Sequence, residues 1–393
     1  MIISSGTRPR LPSHYYVLYE PPDAKGDESL IFISERRKVK IKGTLFREFL
    51  RTVVPLLDGK HTVAEIESST ADLFPPQEVT SALELLAQQH ILTEDPPTVV
   101  IPAERLPVLT PQLNFFHEVT NKAYAVQERL SKATVTLLGV GGPGSSVAAG
   151  LAAAGIGSLR FLDNSVVLET DGYFDPVFTS SSLGQNRAEV LRKALHARWP
   201  HIAMEVSADG IDSEEGILSA ITGSDFVICC ADRGGSSALY QLNRAAMRAE
   251  IPWLSCAVSG FEAVIGPTIR PHDTSCYLCY TMRSVACAEY PEDEFSFQKF
   301  LDYRKQDDSG RRENLVFAVG VAAHFVGLET IKYLTGIISP ATLGAILVIN
   351  FPETTMGKHT VLRHPKCPVC FPDEPSASKT AASAELVEAG SAR

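Results

Sequence analysis

The sequence predicts an α/β protein with a doubly wound parallel sheet, preceded by a smaller domain of strands and helices. Three observations predict it. An apolar β run, Val135 to Leu138, enters a glycine-rich turn, which opens a small-residue helix ending near Gly155; a second β run, Leu159 to Leu162, then delivers Asp163. After Asp163, strands and helices alternate, the order that builds a parallel sheet covered on both faces. Two Cys-x-x-Cys pairs, Cys276 with Cys279 and Cys367 with Cys370, frame the C-terminal third.

The turn is Gly139-Val140-Gly141-Gly142-Pro143-Gly144. Gly139 permits a tight turn, Gly141 and Gly142 let the backbone approach a phosphate, and Gly144 lets the helix lie close to the sheet. Pro143 suits a first helical turn, where its missing N–H is not needed. A helix N-terminus offers free N–H groups and partial positive charge to phosphate, and Asp163 is placed to accept from ribose hydroxyls. The expected ligand is a nucleotide, and the unit is Rossmann-like.

Beyond it the pattern predicts a loop over 164–183, helices over 186–197, 213–222 and 237–249, and strands over 203–206, 226–230 and 253–257. Cys229 and Cys230 read as part of a buried strand. Residues 373–393 are too poor in large apolar residues to pack and read as a disordered tail.

Residues 1–95 read as a separate domain. Tyr15 to Tyr19, Leu30 to Ile33 and Lys38 to Lys42 are β-like, the last alternating basic and apolar residues. Helices are expected over 44–57, 62–70 and 77–90, then a short Ile91-Leu92. This is a winged-helix order. The helix over 77–90 carries no lysine or arginine, which argues against DNA. A packing or dimerisation domain stays open, as does a role for Lys38 and Lys40 in guarding an exposed edge. If a peptide adds as a strand there, Arg36, Lys38 and Lys40 would favour an acidic one. Residues 96–130 form a proline-rich linker to about Pro111 and a lead-in helix from Gln112; the nucleotide domain then covers 131–372.

The chain has 393 residues, 45% of them hydrophobic, and a formal charge of −10. Length allows two or three domains, and the negative charge argues against nucleic acid or an anionic membrane as general partner. No signal-peptide order is present and no apolar run reads as a membrane span, so a cytoplasmic protein is expected. Of eight cysteines, four form the two knuckles, whose sulfurs supply the ligand set of a closed, structural zinc site. A redox dithiol is the alternative.

From about Gln127 to Cys370 the chain resembles the ThiF/MoeB superfamily, relatives of ubiquitin-activating enzymes. The residues carrying this are GVGGPGSSVAAGLAAAGIGSLRFLD, LGQNRAEVLRKAL, DFVICCAD, PWLSCAVSG, CYLC, VGVAAHFVGLETIKYLTG and HPKCPVC. The resemblance implies ATP and magnesium binding and adenylation of a C-terminal carboxylate. By position, Gly139, Gly141, Gly142 and Gly144 would hold phosphate, Asp163 the ribose, Asp232 the magnesium, and Arg187, where the family has lysine, a phosphate. Family members often pair as homodimers. The departures are Ser165 for a second acid, ETDGYFDPVF for an NLNRQ-like run with its arginine, and Arg233 for an asparagine. Cys287 lies where some relatives carry a catalytic cysteine, but the acidic stretch after it does not favour a thiolate.

The front domain resembles the PqqD-like peptide-recognition element of peptide-modifying systems. Together the two domains resemble the ThiF-like partner protein of azoline-forming cyclodehydratases, which binds a precursor leader while a separate YcaO-type protein uses ATP. An active adenylyltransferase acting on a peptide or ubiquitin-like carrier is the competing expectation.

Overall fold

The computed structural model describes residues 2–94, 101, 105–120, 122–207, 213–231, 235–293, 296 and 314–371. The chain divides into two compact units. The first comprises Met1–Ala133, Ala154–Gly157 and Lys332–Ile338; the second comprises Thr134–Ala153, Ser158–Ile331 and Ser339–Arg393.

The first unit contains β1 (Pro9–Arg10), β2 (Tyr16–Glu20), β3 (Glu28–Ile33), β4 (Lys38–Gly43), α1 (Phe46–Thr52), α2 (Val63–Thr70), α3 (Pro76–Gln88), β5 (Thr93–Glu94), α4 (Leu106–Val119) and α5 (Ala123–Lys132). Strands β2, β3 and β4 form an antiparallel sheet in that order, and β1 pairs with β5. The period-two alternation has its expected result: Val39 and Ile41 pack on a core of Leu30, Phe32, Val63, Ile66, Leu83 and Leu86, while Lys38 and Lys40 are exposed. Lys40 pairs with Glu20, and Lys42 with Asp23 at 3.2 Å. Thr62 caps α2 in a reciprocal box with Glu65, satisfying donors that the first turn leaves open.

Two expectations change here. The helix expected over 44–57 stops at Thr52 and gives way to a single 3-10 turn, Val54–Leu56, because Pro55 has no N–H to donate back along the helix. The stretch read as linker to Pro111 is helical from Leu106. A proline near a helix start costs little, and burial of Leu109, Leu113 and Phe116 offsets the bond lost at Pro111.

The second unit contains β6 (Thr134–Leu138), α6 (Pro143–Ala153), β7 (Ser158–Leu162), α7 (Asp171–Phe174), α8 (Arg187–Arg198), β8 (Ala203–Val206), α9 (Glu214–Ile221), β9 (Phe226–Cys229), α10 (Gly235–Ala249), β10 (Trp253–Ser259), β11 (Glu262–Ile269), α11 (Tyr277–Ala286), α12 (Val316–Thr335, completed by the first unit's Lys332–Thr335), β12 (Ala345–Asn350) and β13 (Thr355–Thr360). Its eight-stranded sheet runs β13-β12-β11-β10-β9-β6-β7-β8. From β8 to β10 neighbouring strands are parallel. The expected parallel sheet is therefore real but partial, since β11, β12 and β13 extend it antiparallel. Chain order reverses between β6 and β9, and ligands of open α/β sheets bind beyond the strand C-termini at such a point.

Helix α12 corrects the expectation that no apolar run reaches membrane-span length, because by length and composition it does. In the second unit one face of it is buried through Ala318, Val319, Ala322, Ala323 and Val326, and Glu329 accepts the Thr342 N–H at 2.7 Å. The opposite face exposes Phe317, Val321 and Leu328.

In the first unit His117 is buried, and burial, then repulsion from His14 and Arg10, lowers its pKa from 6.5 to about 4. Between those values the unfolded chain binds a proton that the folded chain does not. Stability present above the unfolded value is therefore lost as pH falls toward the folded one, by up to about 3 kcal/mol. Denaturant titrations from neutral to acid pH should show this loss, and His117→Gln should flatten it.

Candidate functional site

The turn after β6 stands at the reversal of strand order. Gly139 has φ +81°, and a Cβ there would lie 2.5 Å from Ala231 Cα. A Cβ on Gly144 would meet the Gly139 carbonyl oxygen at 2.2 Å. Both positions are closed to any side chain, so the backbone itself forms the surface. The Gly141 carbonyl accepts the Gly144 N–H at 3.0 Å, Gly142 has φ +51°, and α6 begins at Pro143.

Asp163, just past β7, reaches this turn. Its Oδ2 accepts the Val140 N–H at 2.8 Å and its Oδ1 accepts the Ser165 N–H at 2.9 Å. Arg187, the first residue of α8, donates from Nε and Nη2 to the same Asp163 Oδ2 at 3.0 and 2.8 Å, and from Nη1 to Asp171 Oδ1 at 3.1 Å. Asp171 in turn accepts the Leu168 N–H at 2.9 Å. Exposure of Arg187, Asp163 and Asp171 is 1%, 4% and 1%, so among the described residues these charges are compensated by one another rather than by water. The residues expected on ribose and on phosphate are thus held to each other. Sequence reading missed Asp171; its signal was a carboxylate in the ETDGYFDPVF run combined with arginine at position 187.

Beside the turn a cleft of about 230 Å³ is lined by Gly142, Pro143, Phe174, Cys230, Ala231, Cys256, Ala257, Val258, Asn314 and Val319. Asn314 fixes one wall: its Oδ1 accepts the Gly260 N–H at 2.9 Å and its Nδ2 donates to the Val258 carbonyl at 3.3 Å. Asp232 and Arg233 lie outside the described residues.

The two knuckles meet. All four sulfurs of Cys276, Cys279, Cys367 and Cys370 lie within 4.8 Å of one another, with Cys276–Cys279 at 3.8 Å and Cys276–Cys367 and Cys279–Cys370 both at 3.5 Å. A tetrahedron with metal–sulfur bonds of about 2.3 Å has edges of about 3.8 Å, so the set could hold one metal ion. Burial pushes the Cys276 thiol well up and the Cys370 thiol to about 11. Burial also opposes the Cys279 thiolate, but hydrogen bonds from the His364 N–H and from Cys367 and Cys370 hold it below its ordinary value. A bound cation removes the penalty on the others by pairing with their thiolates. Arginines that sequence reading overlooked tie the knuckles together: Arg283 donates to the Leu362 and Arg363 carbonyls at 2.6 and 2.8 Å, and Arg363 to the Thr274 carbonyl at 3.1 Å. Cys287 is exposed at the end of α11.

In the first unit Arg36 is exposed after β3, beside a groove of about 740 Å³ that includes Tyr16, Ile33, Phe115 and Ile338. Lys38 and Lys40 lie on the outer face of the edge strand β4.

A glycine turn on a parallel sheet, an acid at the end of the next strand and a four-cysteine cluster define a protein built on the adenylating-enzyme fold. A sequence model of the ThiF family matches residues 109–369, and the chain belongs to that family. It is 31% identical to Protein HesA of Nostoc sp. over 65% of this chain and 91% of that protein. It is 27% identical to the molybdopterin-synthase adenylyltransferase of Escherichia coli over 62% of this chain and 89% of that one. The structure of E. coli MccB with ATP superposes with TM-score 0.66 at 19% identity, covering 92% of this chain and 99% of that one. The Microcin C7 biosynthetic enzyme MccB in complex with N-formylated MccA superposes with TM-score 0.65 at 20% identity over the same shares.

Removing the guanidinium takes away the cation that the buried Asp163 and Asp171 share. Arg187→Ala should lower stability by about 3–5 kcal/mol in denaturant titration.

Proposed function

We propose that the chain is a peptide-binding ThiF-family component of an azoline-forming cyclodehydratase system, which captures a ribosomal precursor through its leader and presents it to a separate YcaO-type, ATP-using partner. One observation carries this reading: Arg187, the charge expected to serve the phosphates, is buried between two carboxylates. A triphosphate site depends on positive charge where negative charge develops, and this guanidinium is already compensated.

The first unit is the peptide-recognition part, a PqqD-like winged helix. Its edge strand β4 would accept the leader as an added strand, with α3 alongside. Arg36, Lys38 and Lys40 would favour acidic leaders. The ion pairs of Lys40 and Lys42 are solvent-exposed, and such pairs contribute at most about 1 kcal/mol, so an acidic strand can displace them. That the neighbour MccB has been crystallised with N-formylated MccA supports a peptide partner.

A second reading is favoured by the coverage of MccB, a neighbour crystallised with ATP, over nearly the whole chain. In it the protein would adenylate a peptide or ubiquitin-like carrier carboxylate: Gly139, Gly141, Gly142 and Gly144 would hold phosphate, Asp163 the ribose, Arg187 a phosphate once freed from Asp163, and Asp232 the magnesium. In both readings Cys276, Cys279, Cys367 and Cys370 hold a structural zinc, and the protein works in the cytoplasm. A homodimer is supported by the apolar stripe Phe317, Val321 and Leu328 on α12, which borders a groove of about 610 Å³.

Titrating the full chain with the leader of the precursor encoded nearest to it should show binding that weakens as salt rises and falls sharply in the Lys38→Glu, Lys40→Glu double variant. Pyrophosphate exchange with peptide as sole partner should stay at background; enzyme-like exchange would establish the second reading instead. Metal analysis of protein purified without chelator should give about one zinc per chain. Cys276→Ser should lose that metal and melt at lower temperature.

A further inference from the structure

The groove beside Arg36 is lined wholly by residues of the first unit. Strand pairing shows how one wall is made. Tyr16, Ile33 and Lys38 stand directly opposite one another on β2, β3 and β4, so they form one row across the sheet. Val39 packs on the core, and the row of its neighbour Lys38 therefore lies on the outer face. Phe115 of α4 and Ile338 complete the apolar lining. Tyr16 is 73% exposed and Phe115 53%, which leaves two large rings on the groove open to water. Single exposed rings are ordinary, whereas two on one concave surface mark a place where another molecule packs.

Two further observations define what packs there. His14 and Glu118 line the same groove, with side chains only 15% and 8% exposed. His14 Nε2 lies 3.2 Å from Glu118 Oε1, yet the two are not aligned for a hydrogen bond, and His14 Nδ1 has no partner either. Glu118 Oε2 accepts from the Ser34 hydroxyl at 3.1 Å. Buried polar atoms are nearly always paired, and a peptide amide supplies both a donor and an acceptor. The second observation is charge. Arg36 and Lys38 stand exposed at the rim with one acid, Glu35, and among the described residues the side chains of all three lack a hydrogen-bond or ion-pair partner. Lys40 and Lys42, by contrast, are paired.

We infer that this groove is the anchor site for the leader peptide: one large apolar side chain of the peptide enters between Tyr16 and Phe115, its backbone amide meets Glu118 and His14, and neighbouring acids of the peptide pair with Arg36 and Lys38. The inference rests on the leader-binding reading above and deepens it, because it states what the leader must carry, an aromatic or branched aliphatic residue with acids close by in sequence. It also separates two roles. Exposed lysines attract the peptide, and the groove holds it.

The probe is a synthetic peptide with the sequence of the leader encoded nearest, titrated into the full chain and into Phe115→Ala and Tyr16→Ala. Both side chains are more than half exposed, so their removal leaves the buried core untouched. Each variant should bind the peptide at least about tenfold more weakly, the loss typical of removing an anchor contact. The factor should be the same at low and high salt, because apolar contact is not screened, and Phe115→Leu should recover most of the affinity. Replacing the large apolar residues of the peptide by alanine one at a time should find one whose loss matches, with little further loss in Phe115→Ala. Binding to Phe115→Ala and Tyr16→Ala as tight as to the unmodified chain overturns the inference. If that binding still falls in the Lys38→Glu, Lys40→Glu double variant, the leader reading stands without it. A peptide that does not bind the unmodified chain overturns both.

Discussion

One guanidinium organises the centre of the second unit. Arg187 opens α8, Asp163 ends the approach from β7, Asp171 opens α7, and Val140 belongs to the glycine turn; hydrogen bonds through Arg187 and Asp163 join all four. In a buried setting such a group is stable only when every charge has its partner, so the positions of the turn, the strand end and two helix starts are determined together. The geometry of the cleft follows from that constraint. Gly139 and Gly144 then add a steric one, since backbone atoms lie where any side chain would have to go.

The cysteine cluster is the second fixed point of the same unit. It joins the start of α11 to the segment after β13, and the backbone contacts of Arg283 and Arg363 run between the same two segments. Thiols driven upward in pKa by burial are unfavourable as thiolates until a cation shares their charge. Strands β12 and β13 lie between these two segments in the chain, so the cluster also limits how far that edge of the sheet can separate.

ThiF-family membership tells which fold is present, and the residues at the turn tell what that fold retains here. The glycines, the acid after β7 and the cysteines are kept. Phe174 lines the cleft and Asp171 faces Arg187, both within the stretch where the resemblance leads one to expect an asparagine and an arginine. These differences leave the glycine turn and the cysteines in place, so the fold alone does not decide the chemistry at the cleft.

Legibility in the sequence tracked the distance over which each feature is determined. The glycine turn, the Thr62 start of α2, the Val39 and Ile41 alternation and the paired cysteines are local patterns, set by residues a few positions apart and readable from spacing alone. The break of α1 at Pro55 and the early start of α4 were less legible, because proline is both a helix breaker and a good first-turn residue, and burial of Leu109, Leu113 and Phe116 decides between the two. The antiparallel strands could not be read, since strand direction depends on where the chain returns to the sheet rather than on side-chain period. By itself the sequence determined the glycine turn with its flanking strands and helix, and the four cysteines of the cluster. Only the tertiary structure decided that Arg187 meets Asp171 and Asp163, 16 and 24 residues away along the chain, because which charges neutralise one another is a property of packing in three dimensions and not of residue type.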